Sequence, residues 1–176
     1  MISTKSASLF FIWAFIALTL APAMQSCRVS YSFTGAAIAP DVKTFSVYYF
    51  PNRARLVNPN LSQQLTEALQ DKLTRQTSLD MLSEGGDLEF EGQITGYETR
   101  PMNIKEGDLA AQNRLTVTIK VKYTNNKNHD DDWEKSFSAY EDYDSTQSLN
   151  EVEDALMEEI LVKLTDDIFN ASIANW

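Results

Sequence analysis

Between Leu115 and Tyr123 every second residue is apolar. Leu115, Val117, Ile119, Val121 and Tyr123 alternate with Thr116, Thr118, Lys120 and Lys122. A two-residue period belongs to a strand with one face buried and the other in water. Leu88, Phe90, Gly92 and Ile94 alternate likewise with Glu89, Glu91, Gln93 and Thr95, which predicts a second such strand. Asn125 to Asp132 (NNKNHDDD) is a polar turn, so Trp133 to about Tyr140 is predicted to return as the hairpin partner. Thr44 to Phe50 (TFSVYYF) is a strand candidate stopped by Pro51. Arg100 to Ala110 reads as a loop longer than a tight turn needs.

Two segments carry the other period. Asn58-Pro59 supplies an N-cap and a first-turn proline, and Leu61, Leu65, Ala68, Leu69 and Leu73 follow at steps of three and four. That spacing predicts a helix from Pro59 to about Gln76 with one apolar stripe. Near the C-terminus Ser148 and Glu151 form an S-x-x-E capping-box pattern. Val152, Leu156, Ile160, Leu164 and Ile168 follow at steps of four, widened by Ala155, Leu161 and Phe169. Each step of four overshoots a 3.6-residue turn, so this stripe drifts and needs a broad apolar surface opposite it. The opposite face carries Glu153, Asp154, Glu158, Glu159, Asp166 and Asp167.

The predicted order is β-α-β-β-β-α. The arrangement that buries every stripe is an α+β two-layer sandwich, with two helices on one face of a mostly antiparallel sheet. Its outward sheet face, built from Thr, Lys, Gln and Glu, is left to meet water or a hydrophilic partner.

The first 26 residues belong to neither pattern. Lys5 precedes a twelve-residue apolar run, Leu9 to Leu20, followed by Ala21-Pro22-Ala23-Met24-Gln25-Ser26 and then Cys27. Twelve residues are short for ~30 Å of hydrocarbon, so residues 1–26 read as a cleaved signal peptide. Cys27 is the only cysteine, placed where a bacterial lipoprotein is cut and acylated. Met24-Gln25-Ser26 keeps the small residue before the cysteine but lacks the usual Leu three positions earlier. The other reading is ordinary secretion with an unpaired thiol, a liability that acylation removes. Residues 27–40 then form an acylated leader and 41–176 a single domain, long enough to bury a core.

Losing residues 1–26, which hold one basic and no acidic residue, moves the formal net charge from −10 to −11. So acidic a domain is a poor general binder of nucleic acid and is repelled by anionic membrane surfaces. A lipid tether suits it better than electrostatic adsorption.

Little in the chain points to catalysis. His129, the only histidine, lies beside three aspartates in a polar turn, where a solvated side chain is the plain expectation. Asp130, Asp131, Asp132 and Glu134 offer oxygen ligands, but no glycine stands at the sharp-turn position of a calcium loop. Neighbouring carboxylates on the last helix diverge by about 100° and cannot converge on a bond. We expect a non-enzyme without metal or cofactor. Asp144-Ser145-Thr146 matches a short O-glycosylation pattern.

Basic residues are scarce and therefore informative. Arg100, Lys105 and Arg114 flank or lie in the long loop, and Lys120 and Lys122 point outward from the best strand. Such a cluster is either a grip for phosphate or sugar phosphate, or a set of cross-strand partners for Glu89 and Glu91.

The lone Cys27 after a signal, the segment Cys27 to Gly35 (CRVSYSFTG), the strand Thr44 to Tyr48 (TFSVY) and the helix Asn60 to Leu73 (NLSQQLTEALQDKL) together resemble the LptE family of lipopolysaccharide-assembly lipoproteins. The resemblance spans essentially the whole mature domain. It implies a non-enzymatic protein, lipid-anchored at Cys27 to the outer membrane and facing the periplasm. Its partner would be the LptD β-barrel translocon, which it plugs and helps to assemble, and its ligand lipopolysaccharide on the way to the outer leaflet. It also implies that Arg100, Lys105, Arg114, Lys120 and Lys122 meet lipid A phosphates. The alternative is a periplasm-facing lipoprotein that binds glycan or scaffolds another envelope complex.

Overall fold

A computed structural model describes residues 38–56, 58–102 and 111–174. The signal segment, Cys27, most of the leader and Lys105 lie outside the described residues.

Strand β1 (Thr44–Val47) is short because Pro51 bends the chain away from regular pairing. The backbone nonetheless stays beside its neighbour: Pro51 accepts from the Ile94 N–H at 3.0 Å, and the Arg53 N–H donates to the Ile94 carbonyl at 2.8 Å. Phe50 lies fully buried, and its N–H donates to Thr66 Oγ1 at 3.2 Å.

Helix α1 (Leu61–Gln76) buries Leu61, Leu65, Leu69 and Leu73 completely. It begins later than Asn58-Pro59 predicted, with Asn60 as N-cap. The Asn58 side chain still caps it, accepting from the Asn60 and Leu61 N–H groups at 2.8 and 3.1 Å. A three-residue edge strand, β2 (Asp80–Leu82), follows and pairs parallel to β1. Nothing periodic in three exposed residues announces it.

The Gly85-Gly86 turn leads into β3 (Leu88–Met102). Gly85 adopts a φ of 71°, and a Cβ on Gly86 would stand 2.5 Å from the Phe45 carbonyl carbon. Strands β4 (Gln112–Asn125) and β5 (Trp133–Asp144) complete an antiparallel meander, and the sheet order is β2-β1-β3-β4-β5. Arg100 therefore lies within β3, paired directly with Arg114, and not in a loop. The strands run on past the helix layer, so Glu98 to Met102 are exposed and lack the alternating signal of a half-buried strand.

Helix α2 (Leu149–Ser172) starts at the predicted capping box, with the Ser148 N–H donating to the Glu151 carboxylate at 3.1 Å. Ile160, Leu164 and Ile168 are fully buried, and Met157, Leu161 and Phe169 nearly so. Val152 and Leu156 are only half-buried and Ala155 is exposed. The drift of the four-residue steps is the reason: by the first turns the stripe has rotated off the core. Lys72 of α1 pairs with Asp166 of α2, and both helices pack on the same sheet face. The Glu153 carboxylate accepts from Asn58 Nδ2 at 2.7 Å and from the Tyr97 hydroxyl, tying both helix starts to β3. Burial and that carboxylate raise the Tyr97 pKa well above its ordinary value.

The outer sheet face and its relatives

The unburied face of the sheet is the candidate site, because it carries all the described cations that the sequence singled out. β4 presents Arg114, Thr116, Thr118, Lys120 and Lys122 there, while Leu115, Val117, Ile119, Val121 and Tyr123 face the helices. A bulge at Thr95 inserts one residue into β3, since Ile94 pairs with Ile119 but Gly96 with Thr118. Before it Glu89, Glu91 and Gln93 face outward; after it Gly96, Glu98 and Arg100 do.

Register then decides the charge pairing. Lys122 sits opposite Glu91 and reaches it at 3.4 Å, as cross-strand spacing predicts. Lys120 turns instead to Glu134 on β5 at 2.6 Å, and Glu89 accepts from the Tyr48 hydroxyl at 3.0 Å. Arg100 holds Glu98 on its own strand at 2.7 Å. Arg114 grips Asp142 with two parallel bonds of 2.7 and 2.8 Å, and its guanidinium stacks 3.6 Å above the Tyr140 ring. That grip holds the Asp142 carboxyl below the usual carboxylate range.

Every described cation of the predicted set thus already has a carboxylate. The pairs made by Arg100, Lys120 and Lys122 are largely exposed, unlike the part-buried Arg114–Asp142 pair, and such exposed pairs contribute roughly 0–1 kcal/mol each. An incoming phosphate can therefore take Arg100, Lys120 or Lys122 from its carboxylate at little cost. Lys120, Lys122, Glu91, Glu134, Gly92 and Gln93 together line one open depression on this face.

The described cations without a carboxylate within salt-bridge distance, among the described residues, are different ones: Lys43, Arg53, Arg55 and Lys135. Arg53 and Arg55 lie on the stretch that runs beside β3 after Pro51. Sequence alone gave no signal for them, because whether a cation is paired depends on register.

The aspartate turn is self-contained. His129 Nδ1 lies 3.0 Å from Asp132 Oδ2, and Asp131 Oδ2 accepts from Asn125 and Asn128 at 3.0 and 3.1 Å. Asp132 Oδ1 also accepts from the Asn125 N–H at 2.7 Å. Two of its three carboxylates are spent holding the turn, and among the described residues no His, Cys, Asp and Glu group is arranged to hold a metal. Thr146 donates through N–H and hydroxyl to Asp144 Oδ1, just ahead of α2. Among the described residues no helix is long and apolar enough to cross a membrane.

A family model described as lipopolysaccharide-assembly, LptE, matches residues 42–172. The chain belongs to the LptE family. That match runs from just before β1 to the last turn of α2, so it takes in every element described above. LptE-family membership makes this a lipoprotein-type component of lipopolysaccharide assembly in the cell envelope. No curated protein matches the chain by sequence.

Among solved structures it is similar in fold to a hypothetical protein from Chlamydia trachomatis, at 9% identity and a TM-score of 0.52. That similarity covers 76% of this chain and 99% of the other. A minor lipoprotein from Acinetobacter baumannii is 14% identical, with 72% and 89% covered and a TM-score of 0.47. The rare lipoprotein B from Shewanella oneidensis is 10% identical, with 72% and 92% covered and a TM-score of 0.46.

Proposed function

We propose that residues 1–26 are removed as a signal peptide, that Cys27 is acylated, and that the chain is anchored through residues 27–40 to the outer membrane, facing the periplasm. There the domain from residue 41 onward occupies the lumen of an LptD-like β-barrel, assists its assembly and binds lipopolysaccharide for delivery to the outer leaflet. The role is carrying and scaffolding, without catalysis. The family match over 42–172 carries this reading. The outer sheet face supports it physically: its side chains are mostly polar, with Tyr140 and Met102 among the exceptions, its charges are locally balanced, and the inner walls of large outer-membrane barrels are polar as well.

Pull-down of the tagged chain at native expression is expected to recover a large outer-membrane β-barrel, and its depletion to lower lipopolysaccharide at the cell surface. Recovery of peptidoglycan fragments or free sugars without a barrel would instead favour a glycan-binding or scaffolding lipoprotein. Mass spectrometry of the mature N-terminus tests the anchor; a chain beginning elsewhere than at an acylated Cys27 removes it.

Lys120 and Lys122 are the cations we expect to meet lipid A phosphates, together with Arg100, Lys105 and Arg114. Replacing both lysines with glutamate leaves four carboxylates around one depression and is expected to weaken lipopolysaccharide binding about tenfold or more. The fold should survive, since both side chains are exposed. Unchanged affinity with an intact fold would take the two lysines out of the contact.

A further inference from the structure

Among the described residues the far half of β3 is paired on one side only. Its ladder to β4 continues to Met102, but β1 ends at Val47 and the irregular stretch after it bonds β3 last at Ile94. Among the described residues no strand lies beside Gly96 to Met102 on that side.

The direction of the backbone groups there follows from register. Ile94 sends both its N–H and its C=O toward Pro51 and Arg53, away from β4. Its partner Ile119 and the next inward residue of β4, Val117, share one phase, and Val117 pairs with Tyr97. Tyr97 and Thr99 therefore also turn N–H and C=O away from β4, as does Pro101 its C=O. Pro101 fits this assignment: a proline persists in a strand where its missing N–H would face an open edge.

This edge has a wall. Arg55 and Leu56 line a groove with Thr95, Gly96, Tyr97 and Glu98. Leu56 is 53% exposed, an apolar side chain with nothing over it among the described residues. Arg53 and Arg55 are exposed and, among the described residues, unpaired. A row of backbone donors and acceptors at strand spacing, unpaired among the described residues, with Arg55 and an uncovered leucine lining the groove beside it and Arg53 bonded to β3 just before it, matches an extended peptide better than a small anion.

We propose that the β3 edge from Tyr97 to Pro101 docks an extended acidic segment of a partner protein, which adds to the sheet as a sixth strand beside β3. Backbone bonds to Tyr97, Thr99 and Pro101 set its register, and Arg53 and Arg55 select carboxylate side chains. The inference does not rest on the lipopolysaccharide reading. The opposite edge, β5, carries Glu134, Glu141, Asp142 and Asp144 and a single cation, Lys135, so it offers such a segment no arginine pair.

The test uses the full chain in detergent and two synthetic octapeptides, one alternating Val with Asp and one alternating Val with Lys. Amide hydrogen exchange at Tyr97 and Thr99 is the readout. The acidic peptide is expected to slow exchange at both amides about tenfold or more, and the basic peptide to leave them unchanged. The Arg53→Ala, Arg55→Ala double variant should lose most of that slowing. Thr99→Pro should lose it too, since it removes an outward donor and no bond to β4. If Thr99→Pro fails to fold, the double variant at exposed positions still decides. Amides already slow in the free chain, equal slowing by both peptides, or no slowing at all would overturn the proposal. So would phosphate binding at Arg53 and Arg55 with no peptide effect at Thr99, which would assign the arginines to a small anion.

Discussion

Phe50→Ala is expected to lower the free energy of unfolding by about 3–5 kcal/mol, the range for removing a fully buried aromatic side chain. Phe50 is 0% exposed and sits where the chain leaves β1 and turns toward α1. Its ring lies against Gly92 of β3 so closely that a Cβ on that glycine would stand 2.5 Å from it. Its N–H bonds Thr66 of α1, so the same residue fixes helix, strand and connection. Deleting the ring leaves a cavity against the Gly92 backbone, which the β3–β4 ladder holds in place, so little collapse can fill it. Urea unfolding followed by circular dichroism checks this: the midpoint should fall with the slope unchanged. A shift worth less than about 1 kcal/mol would mean the ring is not the wedge described.

The second large effect depends on pH. Asp87, between the Gly85-Gly86 turn and β3, accepts at Oδ2 from the Lys43 and Thr44 N–H groups at 2.8 and 3.1 Å, and its Oδ1 lies 2.9 Å from Lys127 Nζ. The Lys127 ammonium, followed by the Lys43 backbone N–H, holds its carboxyl at about 2, below the ordinary 3.8. A carboxylate depressed on folding stabilises the native state above its unfolded pKa, and the contribution fades as pH falls through the folded value. With the side chain 18% exposed, some screening remains. We expect a contribution of about 1–2 kcal/mol at neutral pH, lost between roughly pH 4 and pH 2. Asp87→Asn should lower stability at pH 7 by that amount and converge with the native protein at pH 2. Parallel pH profiles for the two proteins would show that Asp87 carries no such linkage.

Much of the fold was legible because its stripes are simple. Leu61, Leu65, Leu69 and Leu73, and the alternation from Leu115 to Tyr123, each admit one reading, and both occur as read. The order β-α-β-β-β-α holds, with β2 inserted as a short edge. The illegible parts are those where no stripe exists or where register decides. β3 and β4 run on to Met102 and from Gln112 because backbone pairing continues after apolar burial stops. Leu156 fits the helical spacing yet falls at the rim, since spacing counts turns and not where the partner surface ends.

The candidate site was legible by residue type and illegible by state. Sequence placed Lys120 and Lys122 on the outward face, and so they are. It could not show that the bulge at Thr95 resets the far half of β3, that Lys120 chooses Glu134, or that Arg53 and Arg55 are among the described cations left without a carboxylate. Asp87 gave no signal either, because its donors come from chain segments about forty residues away on both sides.

The position of β1 has a mechanical consequence. Among the described residues it is the strand nearest the N-terminus, yet it lies inside the sheet, between β2 and β3 and parallel to both. A tug arriving along the chain ahead of Thr44 loads both rows of backbone bonds at once, in shear, and peels neither singly. A leash fastened at that end would pull on a strand gripped along both of its sides.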